Sequence, residues 1–372
     1  MDLGLSEEQQ LLQQNARDFL EKECPESLVR AMEEDEKGYS PELWKKMADQ
    51  GWQGLMIPEE YGGAAFNFMD LMVLIEEFGR ALVPGPFIPT VVLGAIPLME
   101  AGSDEQKQKY LPQIASGEAI WTMAYTEPNG RFDLDAIEME AKKDGDGYTL
   151  SGTKLFVPDA HVADFMVVVA KADGGHGMFI VDAKSSGVTT TVLKTIADDK
   201  QCEVVFDKVK VPAENVLAVG KGASEALKSI IRKATVAECA YLVGLAQMDF
   251  EISINYAKER VQFGRPIGSF QAIQHKAADM VTDVDGARFI TYKAAWSVAE
   301  NEPDADMMVH MAKAWTSEAT RRVVAHGQQI HGGIGFTKEY KIQLFFRRQK
   351  RAELFWGDAD FHREKVADLL AI

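Results

Sequence analysis

One carboxylate of this chain falls inside an otherwise apolar helical stripe. From Leu227 toward Tyr256 apolar side chains recur at spacings of three and four, which is typical of one helix of about thirty residues. Glu238 stands within that stripe. A carboxylate at a buried position must be ion-paired or have a perturbed pKa. Glu238 is therefore a candidate general base, unless it pairs with a basic neighbour.

Two further elements are suited to binding an anion. Arg260 can bind a pyrophosphate through two parallel hydrogen bonds, unless it pairs with a surface carboxylate. Gly332 and Gly333, in the segment HGGIGF, allow the backbone to approach a dinucleotide without interference from Cβ atoms. The formal net charge of −17 excludes nucleic acid as a partner, because phosphate contacts need a basic face. Any nucleotide must then be held by a few well-placed Arg, Lys and backbone N–H groups.

The cysteines and histidines indicate neither a metal site nor a disulfide framework. The three cysteines are odd in number and share no motif spacing, so we expect buried reduced thiols. The histidines have no ligand spacing, which predicts ordinary polar or core positions. These residues are Cys24, Cys202, Cys239, His161, His176, His275 and His326.

The composition is that of a globular protein with two or three domains. Apolar residues make up 46% and charged residues 26% of the 372 residues. No apolar run approaches the ~20 residues that a membrane-spanning helix needs. The segment MDLGLSEEQQLL has neither the basic nor the apolar region of a signal peptide. We therefore expect a cytoplasmic protein without a transmembrane segment.

Residues 1–118 are predicted to form a helical domain. Ser6 with Gln9, and Ser103 with Gln106, have the spacing of capping boxes, and Ser40 precedes a proline that can open a helix. The segments PEEYGG and VPGPFIP are interpreted as loops between the helices.

Residues 119–222 and 223–372 are predicted to form two further domains. In the middle segment apolar residues alternate with period two, and AKKDGDGYTLSG predicts a hairpin at an Asp-Gly turn. We expect an antiparallel β-barrel or β-sandwich there. The last segment returns to long helices, with new helices after FQAIQ, PDADMM and FTKEY. Long antiparallel helices of this kind predict a four-helix bundle.

Several motifs, in this order along the chain, resemble the acyl-CoA dehydrogenase family. They are Thr126-Glu127-Pro128, the segment YAKERVQFGRPI at 256–267 and the segment HGGIGF at 331–336. The likeness covers essentially the whole chain. It implies two helical domains around a β-domain, subunits that pair so that each FAD lies between two chains, and assembly as a tetramer.

The resemblance also implies a reaction and its partners. A carboxylate removes the α-proton of an acyl-CoA thioester, the β-hydride passes to FAD, and the electrons leave, usually to an electron-transfer flavoprotein. The protein supplies placement and electrostatics, while FAD accepts the hydride.

By the same resemblance, one group of residues serves the FAD of a neighbouring chain. Arg260 corresponds to the arginine that meets the FAD pyrophosphate, followed in register by Gln262 and Phe263. Gln329 precedes the turn that holds Gly332 and Gly333. All these positions match the family's pattern.

The residues expected against the flavin ring of the same chain match less well. Thr126 is a candidate flavin contact, and Phe156 can cover an aromatic ring. Phe132 stands where the family has a serine, and Pro158 stands where it has a threonine. Neither replacement supplies a hydroxyl, and proline also lacks an N–H group.

The largest departure from the family concerns the catalytic base. Trp356 occupies the position of the usual glutamate, in Trp356-Gly357-Asp358, and cannot accept a proton. The alternative position on the first long C-terminal helix is Ala234. Asp358, close to the lost glutamate, and Glu238, one turn beyond Ala234, are the candidates to replace it. Asp358 could instead cap the following helix.

Three hypotheses follow from this one-sided loss. In the first, the chain is a subunit of a heteromeric acyl-CoA dehydrogenase, similar to the small-subunit type, and a homologous partner carries the base. In the second, it forms a homotetramer that uses Asp358 or another carboxylate. In the third, it is a scaffold descendant without flavin.

Overall fold

The computed structural model describes residues 4–372, which divide into two compact units. The first unit contains the chain up to Val29 together with 68–83 and 235–372. The second contains 30–67 and 84–234. The domain boundaries expected after residues 118 and 222 remain a prediction.

Six α-helices lie in the N-terminal part of the chain, from residue 4 onward. Ser6 and Ser103 each accept a hydrogen bond from the backbone N–H of the third helical residue, and the side-chain oxygen of the glutamine there accepts from the backbone N–H of the serine, which confirms both capping boxes. Ser40 caps the helix that Pro41 opens. These helices are α1 (Glu7–Glu23), α2 (Glu26–Glu34), α3 (Pro41–Asp49), α4 (Phe68–Ala81), α5 (Ile96–Ala101) and α6 (Asp104–Ala115).

The two expected N-terminal loops are partly helical. A 3₁₀ turn, Glu59–Tyr61, lies within PEEYGG, and a π-helix, Pro89–Ala95, begins on the last residue of VPGPFIP. The loop prediction was wrong there because proline is tolerated in the first turn of a helix, where its missing N–H group has no intrahelical partner.

Two open four-stranded sheets make up the middle segment. Their strand orders are β1-β4-β5-β8 and β2-β3-β7-β6, and buried residues of both sheets share one hydrophobic cluster. The strands are β1 (Trp121–Ala124), β2 (Ala141–Asp144), β3 (Gly147–Pro158), β4 (Phe165–Ala172), β5 (Gly175–Asp182), β6 (Val188–Leu193), β7 (Gln201–Val211) and β8 (Val216–Gly220).

The hairpin between β2 and β3 turns after Asp144, as predicted. The expectation of a wholly antiparallel domain was wrong, because β1 pairs with β4 in parallel, with Trp121 opposite Phe165. Parallel neighbours need a long crossover connection, and here β2 and β3 lie within it.

Five helices and a short hairpin form the C-terminal part. The first helix is longer than predicted, with 39 residues. It crosses α4 closely, since a Cβ atom on Gly244 would lie 1.7 Å from the carbonyl oxygen of Glu76. The elements are α7 (Lys221–Glu259), β9 (Val261–Gln262), β10 (Arg265–Pro266), α8 (Gln271–Ala299), α9 (Ala305–His331), α10 (Ile342–Leu354) and α11 (Ala359–Leu370).

The cysteines are buried free thiols, as expected. Burial raises the pKa of Cys24 and of Cys239 to about 12 and that of Cys202 to about 11. From residue 4 to the C-terminus, no helix is long and apolar enough to span a membrane.

Candidate active site

Arg260 follows the last residue of α7 with its side chain in solvent. Its N–H group donates to Tyr256 O at 2.8 Å, and its carbonyl oxygen accepts from Ile267 N at 2.8 Å, so the β9–β10 hairpin folds back onto the helix end. The guanidinium has no ion pair or hydrogen bond with any residue in the described range. It is therefore available to an anion.

The hairpin carries an unusually exposed phenylalanine. Phe263 is 92% exposed and has a φ of +52°, in the left-handed region. Its ring meets only the edge of Phe270, at 6.0 Å between ring centroids. Beside it, Gln262 donates to its neighbour Val261 O at 2.8 Å. A left-handed φ is uncommon for a bulky residue, which marks the exposed Phe263 as a candidate contact residue.

The glycine turn lies beside the same helix end. His331 stacks on Tyr256 with 4.4 Å between ring centroids, which places the end of α9 against the last turn of α7. Gly332 then leaves the helix with a φ of +62°. A Cβ atom on Gly332 or Gly333 would meet nothing within 4 Å. The space above this turn is open to a ligand.

These observations fit an FAD. The positive φ of Gly332 explains why glycine stands at that position. Gly333 has neither a left-handed backbone nor a crowded Cα atom that would require a glycine. Close approach of a ligand to the backbone supplies that reason. Arg260 offers the matching positive charge. Gln329 is exposed one turn before Gly333.

In the second unit, the structure brings Thr126 next to Phe156. Leu155 N donates to Thr126 O at 2.8 Å, so the loop after β1 pairs with β3 just before Phe156. Phe156 lies at an irregularity of β3, with a φ of +54°, and is 46% exposed. Thr126 and Phe156, the two candidate contacts of the flavin ring, thus lie next to each other.

A buried ion pair anchors this loop, and the sequence interpretation did not identify it. Lys154 Nζ lies 2.8 Å from Glu127 Oε1 and donates to Tyr125 O at 3.0 Å. Glu127 also accepts from the backbone N–H groups of Glu138 and Met139. Burial lowers the pKa of Lys154 to about 8, although Glu127 opposes the shift. The signal available in the sequence was a lysine within a strand next to apolar residues.

The two replaced positions have structural partners of their own. Pro158 O accepts from the Thr122 hydroxyl at 2.6 Å. Phe132 O accepts from the Tyr125 hydroxyl at 2.7 Å. In both cases the contact uses the backbone, so neither side chain replaces the missing hydroxyl group.

The loop at the position of the family's base is closed around Trp356. This residue is only 8% exposed and has a φ of +62°. Gly357 follows with a φ of +103°, and a Cβ atom there would lie 2.4 Å from the Phe361 ring. The indole packs edge-to-face on Phe355 at 5.4 Å. The loop has little freedom to present another side chain.

Two buried side chains hold the backbone of this loop. Lys313 Nζ donates to the carbonyl oxygens of Ala352 and Glu353, at 3.1 and 2.7 Å, at the end of α10. His362 Nε2 lies 3.0 Å from Trp356 O, and its Nδ1 lies 2.8 Å from His310 Nδ1. Burial lowers the pKa of His362 to about 3, with Lys313 and His310 adding to the shift.

Both candidate bases are engaged in other contacts. Asp358 is the N-cap of α11, where its side chain accepts from Phe361 N at 2.9 Å. Glu238 is buried and forms an ion pair with Arg351 at 2.5 Å. Ala234 is buried as well. Asp358 thus caps a helix and Glu238 pairs with a basic residue, which are the structural roles that the sequence analysis gave as alternatives to catalysis.

Taken separately, the two units offer groups to bind a dinucleotide and an aromatic ring. In the described residues around Trp356, every named carboxylate serves as a cap or an ion-pair partner. Proton abstraction needs a carboxylate within hydrogen-bond reach of the reacting carbon.

Family models match almost the whole chain. Residues 6–118 match the N-terminal domain of acyl-CoA dehydrogenase, residues 122–209 its middle domain and residues 220–371 its C-terminal domain.

Individual proteins match over their full length. The chain is 34% identical to a 3-(aryl)acrylate reductase of Clostridium sporogenes, over 98% of this chain and 99% of that protein. It is also 34% identical to the CarC subunit of the caffeyl-CoA reductase-Etf complex of Acetobacterium woodii, over 98% of each. A chain of the ChsE4-ChsE5 complex of Mycobacterium tuberculosis superimposes with a TM-score of 0.93 at 30% identity, covering 100% of this chain and 99% of that one.

Proposed function

This chain belongs to the acyl-CoA dehydrogenase family, whose members are FAD-dependent oxidoreductases, and from that premise we propose that it is one subunit of a heteromeric acyl-CoA dehydrogenase. In this proposal the chain helps to hold FAD, and a homologous partner carries the glutamate base. The observation that carries it is a closed loop at Trp356 in a chain that keeps an exposed, unpaired Arg260 at the end of α7 in the described residues.

The residues that would hold FAD fall into two groups. Arg260 would bind the pyrophosphate, with Gln262, Phe263 and Gln329 beside it and the backbone of the glycine turn close to the dinucleotide. Thr126 and Phe156 would contact the flavin ring of the same chain. FAD, when bound, accepts the hydride from the β-carbon of the acyl-CoA, while the α-proton passes to a carboxylate.

The partner's carboxylate is inferred from what this chain lacks. Trp356 has no proton-accepting atom, Asp358 caps a helix and Glu238 is paired with Arg351. A relative by structure is a complex of two differently named chains. This supports a heterotetramer over a homotetramer.

The electron acceptor is proposed from a relative's name. CarC is described as a subunit of a reductase complex that includes Etf, so an electron-transfer flavoprotein is the proposed partner in electron transfer. Two relatives are named 3-(aryl)acrylate reductase and acryloyl-CoA reductase (NADH), and reduction of an acrylate double bond is the reverse of α,β-dehydrogenation. Other features of the proposal are domain boundaries after residues 118 and 222, a bundle of four C-terminal helices and a cytoplasmic location.

Purification of the chain alone and with a candidate partner tests this proposal. We expect the pair to be yellow and to be bleached by an acyl-CoA, while the chain alone binds FAD weakly and is not bleached. Bleaching of the chain alone would contradict the heteromer. If Asp358→Asn abolished that bleaching, the homotetramer with Asp358 as base would be correct. A pair that stays colourless would support the scaffold.

A further inference from the structure

A second carboxylate of α7 is buried more completely than Glu238. Asp249 has no exposed surface, and neither of its oxygens has a hydrogen-bonding partner in the described residues. It packs directly on α9, since a Cβ atom on Gly327 would lie 2.1 Å from Asp249 Oδ1. Only glycine fits there. The carboxyl group and the glycine are therefore complementary in shape.

Other buried polar atoms without partners line the same seam between α7 and α9. They are Ser253 Oγ and His331 Nε2, while Gln328 Oε1, also without a partner, lies against Gly335 beyond the end of α9. Ser253 lies one helical turn beyond Asp249, on the same face of α7, close enough to lower the pKa of the carboxyl group but without a well-formed hydrogen bond to it. Buried polar atoms are normally satisfied by protein or by ordered water. Several of them along one seam indicate ordered water there, because a buried water needs two to four polar partners.

The seam runs directly below the glycine turn. His331 Nδ1 lies 2.7 Å from Gly327 O, and a carbonyl oxygen only accepts, so Nδ1 carries the proton and Nε2 is an acceptor. The peptide that Asp249 contacts is thus the one that orients His331. His331 in turn stacks on Tyr256 and precedes Gly332.

We propose that Asp249 is a positioning residue for the dinucleotide-binding turn, acting as a neutral acid that donates to buried water between α7 and α9. This rests on the proposed function only in its last step, that the turn holds FAD. Positions 249, 253, 256 and 260 follow one face of α7, so the seam also leads toward Arg260. A water network here would fix the turn and the arginine relative to each other.

The protonation state agrees with this role. Burial raises the pKa of Asp249 well above its ordinary value of 3.8, and Ser253 opposes the shift only in part. No charged group contributes to it. The titratable side chains on the same stretches of α7 and α9 are Glu251, Tyr256, His326 and His331. Glu251 pairs with Arg80 of α4, the charges that act on His326 lie on α8 and α9, and Tyr256 and His331 contact each other and Tyr340, with Lys341 next to it.

A raised pKa makes stability fall as pH rises. Between the ordinary value and the folded value, the unfolded state loses its proton while the folded state keeps it, so unfolding becomes easier with increasing pH. Asparagine has the shape of the neutral acid and cannot ionise. Asp249→Asn should therefore remove this pH dependence.

The first measurement needs no cofactor. We compare thermal unfolding of the flavin-free chain from pH 5 to pH 8. As pH rises, we expect the Tm of Asp249→Asn to increase relative to that of the wild type, by about 2 °C or more at pH 8. Asp249→Ala should be destabilised throughout. A wild type more stable than Asp249→Asn at pH 8 would mean that Asp249 is ionised and paired, and would overturn the proposal.

The second measurement uses FAD binding by the full chain, with its partner where one is required. We expect the FAD dissociation constant of the wild type to rise with pH, that of Asp249→Asn to stay flat, and that of Asp249→Ala to be roughly tenfold weaker. If all variants bound FAD alike while their stabilities differed, Asp249 would be structural only. If no form bound FAD, the proposed function would fail, while the unfolding data would still decide the state of Asp249.

A double substitution tests the packing itself. Gly327→Ala should destabilise the wild type, because its methyl group meets Asp249 Oδ1. The same change should be tolerated in the Asp249→Ala background, where space is available. Equal losses in both backgrounds would show that Asp249 does not occupy the seam.

Discussion

The region of Arg260 and the glycine turn differs from the loop at Trp356 in how its polar groups are used. At Arg260 the guanidinium has no partner in the described part of the chain, and the space above Gly332 is open. At Trp356 the backbone is held by Lys313 and His362, and Asp358 is committed to a helix cap. Both regions belong to the first unit.

The difference separates binding from chemistry. A surface with an unpaired cation and uncovered glycine backbone is incomplete without a ligand. A loop whose groups are all engaged is complete by itself and offers no proton acceptor. The same helical unit therefore retains the features of a dinucleotide site and has lost those of a base.

Replacing Trp356 with glutamate should have the largest effect. In the FAD-loaded protein, Trp356→Glu would place a carboxylate at the position of the family's base, and general-base catalysis contributes about 10²- to 10⁴-fold. We expect the rate of flavin reduction by an acyl-CoA to rise by a factor in that range. Stopped-flow absorbance measures this rate.

Trp356→Gln is the matched control for that experiment. It makes the same cavity and has a similar shape but cannot take up a proton, so it should remain inactive. Equal rates of flavin reduction for the two variants would show that a base at this position is not what the chain lacks. The conclusion that the Trp356 loop has lost a base would then be wrong.

Removing the guanidinium at the other region should weaken FAD binding. Loss of hydrogen bonds to a charged group costs about 2 kcal/mol, so we expect Arg260→Ala to raise the FAD dissociation constant roughly 30-fold. Flavin fluorescence measures the binding. Arg265→Ala removes another exposed arginine of the same hairpin, which stacks on Phe270 at 4.2 Å, and should change binding little. Equal losses of FAD affinity in Arg260→Ala and Arg265→Ala would show that the hairpin attracts FAD through its overall positive charge and not through a specific contact of Arg260.

Glu238→Gln asks whether the buried carboxylate is structural or catalytic. The change leaves Arg351 without its charged partner, and breaking a buried pair is costly. Since the Arg351 side chain is 22% exposed, we expect a loss of about 2 kcal/mol in the free energy of unfolding, measured with denaturant. FAD-dependent activity of the assembled protein should be unchanged in the folded fraction. Lost activity at unchanged stability would make Glu238 the base.

Local signals carried most of what could be predicted from the sequence. The capping boxes at Ser6 and Ser103 depend on residues three apart, and the free cysteines follow from their odd number and lack of motif spacing. Pairing between distant segments is different. The parallel contact of β1 with β4 joins segments separated by a hairpin, and no local pattern distinguishes it from an antiparallel one.

The candidate site shows the same limit. The flavin-side residues follow from motifs, but the partners of Asp358 and Glu238 depend on which helices meet, so the alternatives could not be decided from the residues alone. Asp249 lies in the same apolar stripe as Glu238. Its burial became evident only from the contact with Gly327 on another helix.

Asp358 provides the smallest and most discriminating test of the closed loop. Asparagine caps helices as well as aspartate does, whereas alanine at an N-cap costs about 1 kcal/mol. We expect Asp358→Asn to keep both stability and activity, and Asp358→Ala to lose about that amount of unfolding free energy without losing activity. Denaturant unfolding and flavin reduction measure the two quantities. A variant pair in which asparagine abolishes activity while preserving stability would make Asp358 a base, and the Trp356 loop would then be an active site.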